Sequence, residues 1–189
     1  SQMCRRAKSI ISAIDPAAKI TSPPVTDWAT TGTQAYVETL LNTSDGAGGK
    51  MSDHCDIIGI HPYTNWKYNR GGTSDPITKT RAAMVALGIN SKPLWCTEYT
   101  ILMPEFPTLT AAQRRDGIRR LMTQALCHNA GGCDMAIWYA IDSDAYRLTA
   151  EDVQTWNEWL GQLESGVSVI NVLRDQRTCA VVNGRRYVW

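Results

Sequence analysis

Four short apolar runs, each trailed by an amphipathic helix pattern, constrain this chain more tightly than any other feature. The runs are "KITS" (Lys19 to Ser22), "CDIIGI" (Cys55 to Ile60), "PLWCTE" (Pro93 to Glu98) and "DMAIWYA" (Asp134 to Ala140). Each has the length and the β-branched or aromatic content of a strand buried on both faces, "KITS" being the shortest and most polar. Their starts recur every 36 to 41 residues. The intervals hold "GTQAYVETLLN" with Val37, Leu40 and Leu41 on one face, and "DPITKTRAAMVALG" with Asp75 as a cap, Pro76 in the first turn and Gly88 as the stop. "TAAQRRDGIRRLMTQALCH" opens on a Thr110–Gln113 capping box and carries a stripe of Ile118, Leu121, Met122, Ala125 and Leu126. "TAEDVQTWNEWLGQL" presents Val153, Trp156, Leu160 and Leu163, and an earlier helix runs from about Met3 to Ile14. Strand–helix alternation at this spacing predicts a parallel sheet with right-handed crossovers.

The tail "TCAVVNGRRYVW" breaks the rhythm: Asn183-Gly184 between two apolar runs predicts a hairpin. The expected division is therefore residues 1–165 for the strand–helix units and 166–189 for a C-terminal hairpin or the start of an accessory β module. With 189 residues, 43% hydrophobic, 20% charged and a net charge of +1, the chain has globular composition and lacks the footprint of a nucleic-acid or anionic-membrane partner. No apolar run approaches the ~20 residues of a membrane span. Six cysteines occur without Cys-x-x-Cys spacing, which argues against zinc. "CHNAGGC" leaves two readings open for Cys127 and Cys133, a local disulfide or small buried thiols. Seven Trp and seven Tyr stand against one Phe, rings that suit sugar stacking and ordinary cores alike.

In parallel α/β folds, ligands sit at the carboxyl ends of the strands. The second run leads into "IGIHPYT", the third into "CTEYT" and the fourth into "IWYAIDSD", so His61, Tyr63, Glu98, Tyr99, Trp138, Tyr139 and Asp142 are expected on one rim. Two-residue alternation puts Leu94, Cys96 and Glu98 on one face, with Glu98 reaching the rim from the interior side. A carboxylate in an aromatic-walled site can attack the anomeric carbon of a sugar. The competing reading of Glu98 is a structural carboxylate paired with arginine or capping a helix. His61 has a structural alternative as an anchor for the loop before Pro62, and Trp138 one as packing between sheet and helices.

In order and spacing, "IHPY", "KPLWCTE" and "AIWYA" resemble the ends of the sixth, seventh and eighth strands of clan A glycoside hydrolases, the retaining glycosidases built on a TIM barrel. The resemblance spans Lys19 to about Leu163, roughly three quarters of the chain. It implies an α/β fold in which four strand–helix units form the second half of a (β/α)8 barrel, with the C-terminal β-hairpin appended. By that resemblance Glu98 is the catalytic nucleophile, Tyr63 holds it by a hydrogen bond, His61 lines the sugar subsite and Trp138 is the stacking platform. Tyr99, Trp66 and Asp142 line the substrate site. "NWKYNRGG" and "ILMPEFPTLT" are rim loops, on which Glu105 is solvated, as is Asp144 after the last run.

The chain departs from the clan at the acid/base, which the clan carries in an Asn-Glu pair ending its fourth strand. The one Asn-Glu here, Asn157-Glu158, falls within the last amphipathic helix pattern. A complete (β/α)8 barrel takes about 250 residues. The resemblance thus implies a C-terminal portion of a longer hydrolase, or a relic of one, inactive alone and partnered by the missing N-terminal barrel half or by another copy of itself. The implied partner is a carbohydrate substrate with no metal or organic cofactor, and the implied setting is secreted or periplasmic. Two rival classes are a non-catalytic carbohydrate-binding or assembly module, in which Glu98 only accepts from sugar hydroxyls, and a small flavodoxin-like domain. The latter lacks a phosphate loop after a strand, because the glycine-rich "DGAGGK" precedes one.

Overall fold

A computed structural model describes residues 1–25, 34–62, 64–65, 76–99, 101–102, 108–130, 132–138, 148–172 and 178–188. In chain order the elements are α1 (Gln2–Ile14), α2 (Gln34–Leu41), a 3-10 turn (Met51–His54), β1 (Ile58–Ile60), β2 (Thr64–Asn65), α3 (Pro76–Ala86), β3 (Leu94–Tyr99) and β4 (Ile101–Leu102). They continue with α4 (Ala111–Ala130), β5 (Met135–Trp138), α5 (Ala150–Gly166), β6 (Val167–Val172), β7 (Thr178–Val182) and β8 (Arg185–Val188).

β1, β3 and β5 pair in parallel, and their spatial order is their chain order. The "KITS" segment extends this sheet by isolated parallel bridges, Thr21 to Ile57 and Val25 to Ile60, without forming a full strand. Gly59 permits that approach: a side-chain carbon there would stand 3.1 Å from the Ser22 carbonyl oxygen, and the Gly59 N–H donates to Ser22 Oγ at 3.0 Å. Each right-handed crossover adds its strand to the same edge, so the helices collect on one face of the sheet. Ile58, Ile60, Leu94 and Cys96 accordingly share one core with Val37 and Leu41 of α2, Ile77, Ala83 and Met84 of α3, and Ile118, Leu121 and Met122 of α4.

The opposite face is unevenly covered: Ile57 and Gly59 are buried there, and Trp95 and Thr97 are half-buried. Trp95 pairs in register with Gly59 and Met135, which puts all three on the side away from Leu94 and Cys96. There Met135 is 42% and Ile137 44% exposed. Among the described residues β5 pairs only with β3, leaving its outer edge open.

Local signals place the helix ends. Thr110 and Gln113 form the expected capping box, with the Gln113 N–H donating to Thr110 Oγ1 at 3.3 Å and the Thr110 N–H to Gln113 Oε1 at 3.0 Å. Pro76 is the first residue of α3, and Gly88 follows its end at φ +69°. Thr149 and Asp152 make a second capping box at α5.

The inward face of α5 differs from the expected one. Val153 and Leu160 are exposed, whereas Asp152, Thr155 and Trp159 are buried, with Trp156 and Leu163 partly so. The rotation follows from two tertiary partners. Asp152 binds the Arg114 guanidinium of α4 in a buried ion pair, and Trp159 meets the Tyr187 ring edge-on at 4.8 Å. Burial pushes the Asp152 carboxyl upward, but the bonds from Arg114 and Thr149 outweigh it and hold the group below its ordinary value.

The tail contains more than a hairpin. β6 follows α5 without a break and pairs antiparallel with β7, which turns through Asn183-Gly184 into β8. Both turn residues have positive φ, 49° and 76°, as a two-residue primed turn requires. Val182 and Tyr187 pack into the same hydrophobic core as the parallel sheet.

Of the cysteines, Cys55, Cys96 and Cys133 are buried. Cys133 acts as a thiol, donating to the Met135 carbonyl at 3.0 Å, and burial raises its pKa. The Cys127 side chain lies outside the described residues. The "DGAGGK" loop uses its own amides: Asp45 Oδ1 accepts from Ala47 N–H at 2.7 Å and Gly49 N–H at 2.9 Å, while Oδ2 meets His54 Nε2 at 2.8 Å. Those bonds, led by Ala47, lower the Asp45 pKa to about 2. A carboxylate fills the place a phosphate would need.

Candidate functional site

Both ends of the parallel sheet carry polar residues, and they are built differently. At the amino ends the groups are saturated. Asp134 Oδ2 accepts from the Leu94 N–H at 2.7 Å and from Arg81 Nη2 at 2.9 Å, and Arg81 Nε donates to the Gly132 carbonyl at 2.7 Å. Lys92 Nζ donates to the Cys55 carbonyl at 2.6 Å, and Asp56 accepts from Lys8 Nζ and the Ile20 N–H. These bonds lock one strand start to the next.

At the carboxyl ends, His61 and Glu98 come together. His61 follows β1 directly, and its N–H donates to the Val25 carbonyl at 3.1 Å, which fixes the backbone where the strand leaves the sheet. Pro62, buried, disfavours helical backbone at His61 before it. Glu98 stands near the end of β3, the central strand. Its Oε2 is 3.5 Å from His61 Nδ1, the outer limit of hydrogen-bond distance, with side-chain exposures of 22% and 15%.

The route by which Glu98 reaches this place differs from simple alternation. The face that Leu94 and Cys96 share is the helix-covered one, where both are fully buried. The register between β3 and β5 shifts between Cys96 and Tyr99, so a bulge intervenes before the strand ends. Past it Glu98 retains access to solvent. Bulges commonly re-aim a side chain beside a functional site.

Burial of the His61 ring lowers its pKa, and the Glu98 carboxylate partly offsets this. At neutral pH the imidazole is therefore uncharged and can either accept a proton or donate one N–H. A carboxylate beside a neutral imidazole at a strand end can accept hydrogen bonds from hydroxyls, or act as a nucleophile whose orientation the ring supports.

The other expected residues divide in two groups. Tyr99 and Trp138 are cross-strand partners in register, which places their backbones side by side on the rim strands. Tyr63, Trp66, Tyr139 and Asp142 lie outside the described residues, as do Glu105 and Asp144. The two rim segments meet where described: Thr64–Asn65 pairs in parallel with Ile101–Leu102, so "ILMPEFPTLT" begins as strand β4 and not as loop.

Asn157 and Glu158 lie in the body of α5, exposed, with Glu158 accepting from Gln154 within the same helix. They are remote from the rim in topology. Trp95 was not among the expected site residues, yet it stands half-buried on the face opposite Leu94 and Cys96, three residues before Glu98 in the same strand. Its signal is alternation itself, since it occupies the opposite parity to Leu94 and Cys96.

Among the described residues, no group of three or more His, Cys, Asp or Glu side chains could hold a metal ion. No described helix is long and apolar enough to cross a membrane. Neither a protein-family model nor a curated protein sequence matches this chain.

Proposed function

We propose that the chain is the C-terminal half of a retaining glycoside hydrolase barrel and that Glu98 is its nucleophile. The observation that carries this reading is the placement of Glu98. It stands near the carboxyl end of the central strand of a parallel sheet whose strands keep chain order, 3.5 Å from His61 on the neighbouring strand end. Chain-order strands with helices on one face alone are how staves of a closed barrel are laid. In a doubly wound sheet the order reverses and both faces are covered. The exposed apolar positions Met135 and Ile137 on the other face, beside half-buried Trp95, fit a barrel interior that further staves would cover.

In the complete reaction Glu98 attacks the anomeric carbon of a β-linked sugar while a second carboxylate protonates the departing glycosidic oxygen. Water, deprotonated by that second carboxylate, then attacks the glycosyl ester and regenerates Glu98, with net retention. Such pairs stand about 5 to 5.5 Å apart. The second carboxylate belongs, on this reading, to the half of the barrel that precedes these strands. His61 steadies Glu98 and lines the subsite, Tyr63 bonds the nucleophile, Trp138 stacks under the sugar, and Tyr99, Trp66 and Asp142 line the rest.

A chain with a nucleophile but no acid still reacts with a glycoside whose leaving group needs no proton. Incubation with dinitrophenyl β-glycosides fluorinated beside the anomeric carbon is expected to release one equivalent of dinitrophenolate. It should leave a glycosyl ester on Glu98, located by peptide mass, and Glu98→Gln should remain unlabelled. Ordinary aryl β-glycosides should turn over at a negligible rate. Normal turnover of those substrates would show that the chain supplies its own acid/base. Absence of labelling, with β-linked oligosaccharides still bound equally by wild type and Glu98→Gln, would replace the hydrolase by a carbohydrate-binding module.

A further inference from the structure

Two buried thiols flank the register shift in β3. Cys133, just before β5, accepts at Sγ from the Cys96 N–H at 3.1 Å. The same sulfur offers its hydrogen to the Met135 carbonyl at 3.0 Å and to the Leu94 carbonyl at 3.3 Å. The side chain of Cys133 thus bonds to β3 as acceptor and as donor at once. From Cys96 the line of contacts continues along β3, because Cys96 Sγ donates to the Glu98 carbonyl at 3.6 Å. Cys133 is 1% exposed and Cys96 0%. These bonds fall where the ladder is irregular. Cys96 pairs with Ala136 and Tyr99 with Trp138, so across the shift β3 carries one residue more than β5. A ladder disrupted in this way holds the strand end less firmly than regular pairing does.

We propose that Cys133 is a positioning residue for Glu98, its thiol holding the β3 backbone at the register shift so that the carboxylate meets His61 on the rim. The path is short: Cys133 Sγ to the Cys96 amide, Cys96 Sγ to the Glu98 carbonyl, and Glu98 Oε2 to His61 Nδ1 at 3.5 Å. Burial raises the Cys133 pKa, so the sulfur keeps its hydrogen at neutral pH and remains a donor. Without the sulfur, the Cys96 N–H loses that acceptor inside the core, two residues before Glu98. The strand end then relaxes, and the carboxylate moves with it. The effect on the His61–Glu98 geometry is independent of what the rim does, whereas any effect on reactivity rests on Glu98 being the nucleophile proposed above.

The test follows the His61 ring proton by NMR through its titration in the full chain. Cys133→Ala removes the thiol bonds and should displace the titration downward by at least half of the displacement that Glu98→Gln produces. Cys133→Ser keeps a donor and an acceptor on a shorter arm and should displace it the same way, by less. Should Cys133→Ala not fold, Cys133→Ser decides. In a Glu98→Gln background neither substitution should add to the displacement, because the carboxylate through which the thiol acts is gone. Cys55→Ala removes another buried thiol, one that donates to the Met51 carbonyl at the amino end of the sheet, and should leave the titration in place. Labelling of Glu98 by the fluorinated dinitrophenyl glycoside should slow about tenfold in Cys133→Ala, since a misplacement of about 1 Å can cost about a hundredfold. A titration unmoved or raised in both Cys133 variants would overturn the positioning role. So would a displacement that persists in the Glu98→Gln background, an equal one in Cys55→Ala, or labelling as fast in Cys133→Ala as in the wild type. The expected displacements in a chain whose wild type is never labelled would uphold the role of the thiol and remove the nucleophile.

Discussion

The two ends of the parallel sheet were made from the same strands and solve opposite problems. At the amino end, Asp134 serves Leu94 and Arg81 at once, and Lys92 and Asp56 each tie a strand start to its neighbour. At the carboxyl end, His61 and Glu98 face each other at 3.5 Å, partly open to solvent. The saturated end holds the strands in register. The open end brings a carboxylate and an imidazole together where solvent still reaches both. The bonded framework and the proposed site thus stand at opposite ends of one strand, β3.

The largest test of that contrast is at the start of β3. Leu94 is fully buried in the core, so Leu94→Ala should cost about 2–5 kcal/mol in urea unfolding. Asp134→Ala should come next, at about 1–3 kcal/mol, because it leaves the Leu94 N–H without its acceptor. Glu98→Gln, four residues along the same strand from Leu94, should change stability by less than about 1 kcal/mol, as polar groups with solvent access commonly do. Equal losses at Leu94 and Glu98 would break the contrast, making Glu98 a structural carboxylate after all.

Much of the amino-end framework is readable in the sequence because its signals are local. The Thr110–Gln113 capping box, Pro76 at a helix start, Gly88 past a helix end and Asn183-Gly184 in a primed turn each work within four residues. The period of the apolar runs foretold the chain-order pairing of β1, β3 and β5. What escaped is set by partners far along the chain. Asp152 looks like a capping residue and is one, but its bond to Arg114 turns α5 away from the Val153–Leu160 face. β6 reads as a tail because it follows α5 with no turn signal, and only its pairing with β7 makes it a strand. The register shift between Cys96 and Tyr99 also lacks any marker such as glycine, so alternation alone could not foretell it. At the site, a rim shared by His61 and Glu98 was legible from strand-end position. Their direct 3.5 Å approach was not, the bond to Glu98 having been expected from Tyr63, and Trp95 hid inside a run read as core.

The smallest expected effect bears most directly on the open end. Burial lowers the His61 pKa below its ordinary 6.5, and the Glu98 carboxylate raises it part of the way back. The unfolded chain therefore takes up the proton first as pH falls, so folding stability declines from about pH 6.5 downward. The decline ends once the folded imidazole is also protonated. Removing the carboxylate removes an influence that opposes burial. In Glu98→Gln the His61 ring should thus titrate at a lower pH than in the wild type, and the acid-side decline should extend further down. Following the His61 ring proton by NMR across pH 4 to 8 measures both curves. A downward displacement in the variant places the carboxylate against the imidazole in solution. An unchanged or upward displacement would separate the pair, and with it the rim geometry on which the role proposed for Glu98 depends.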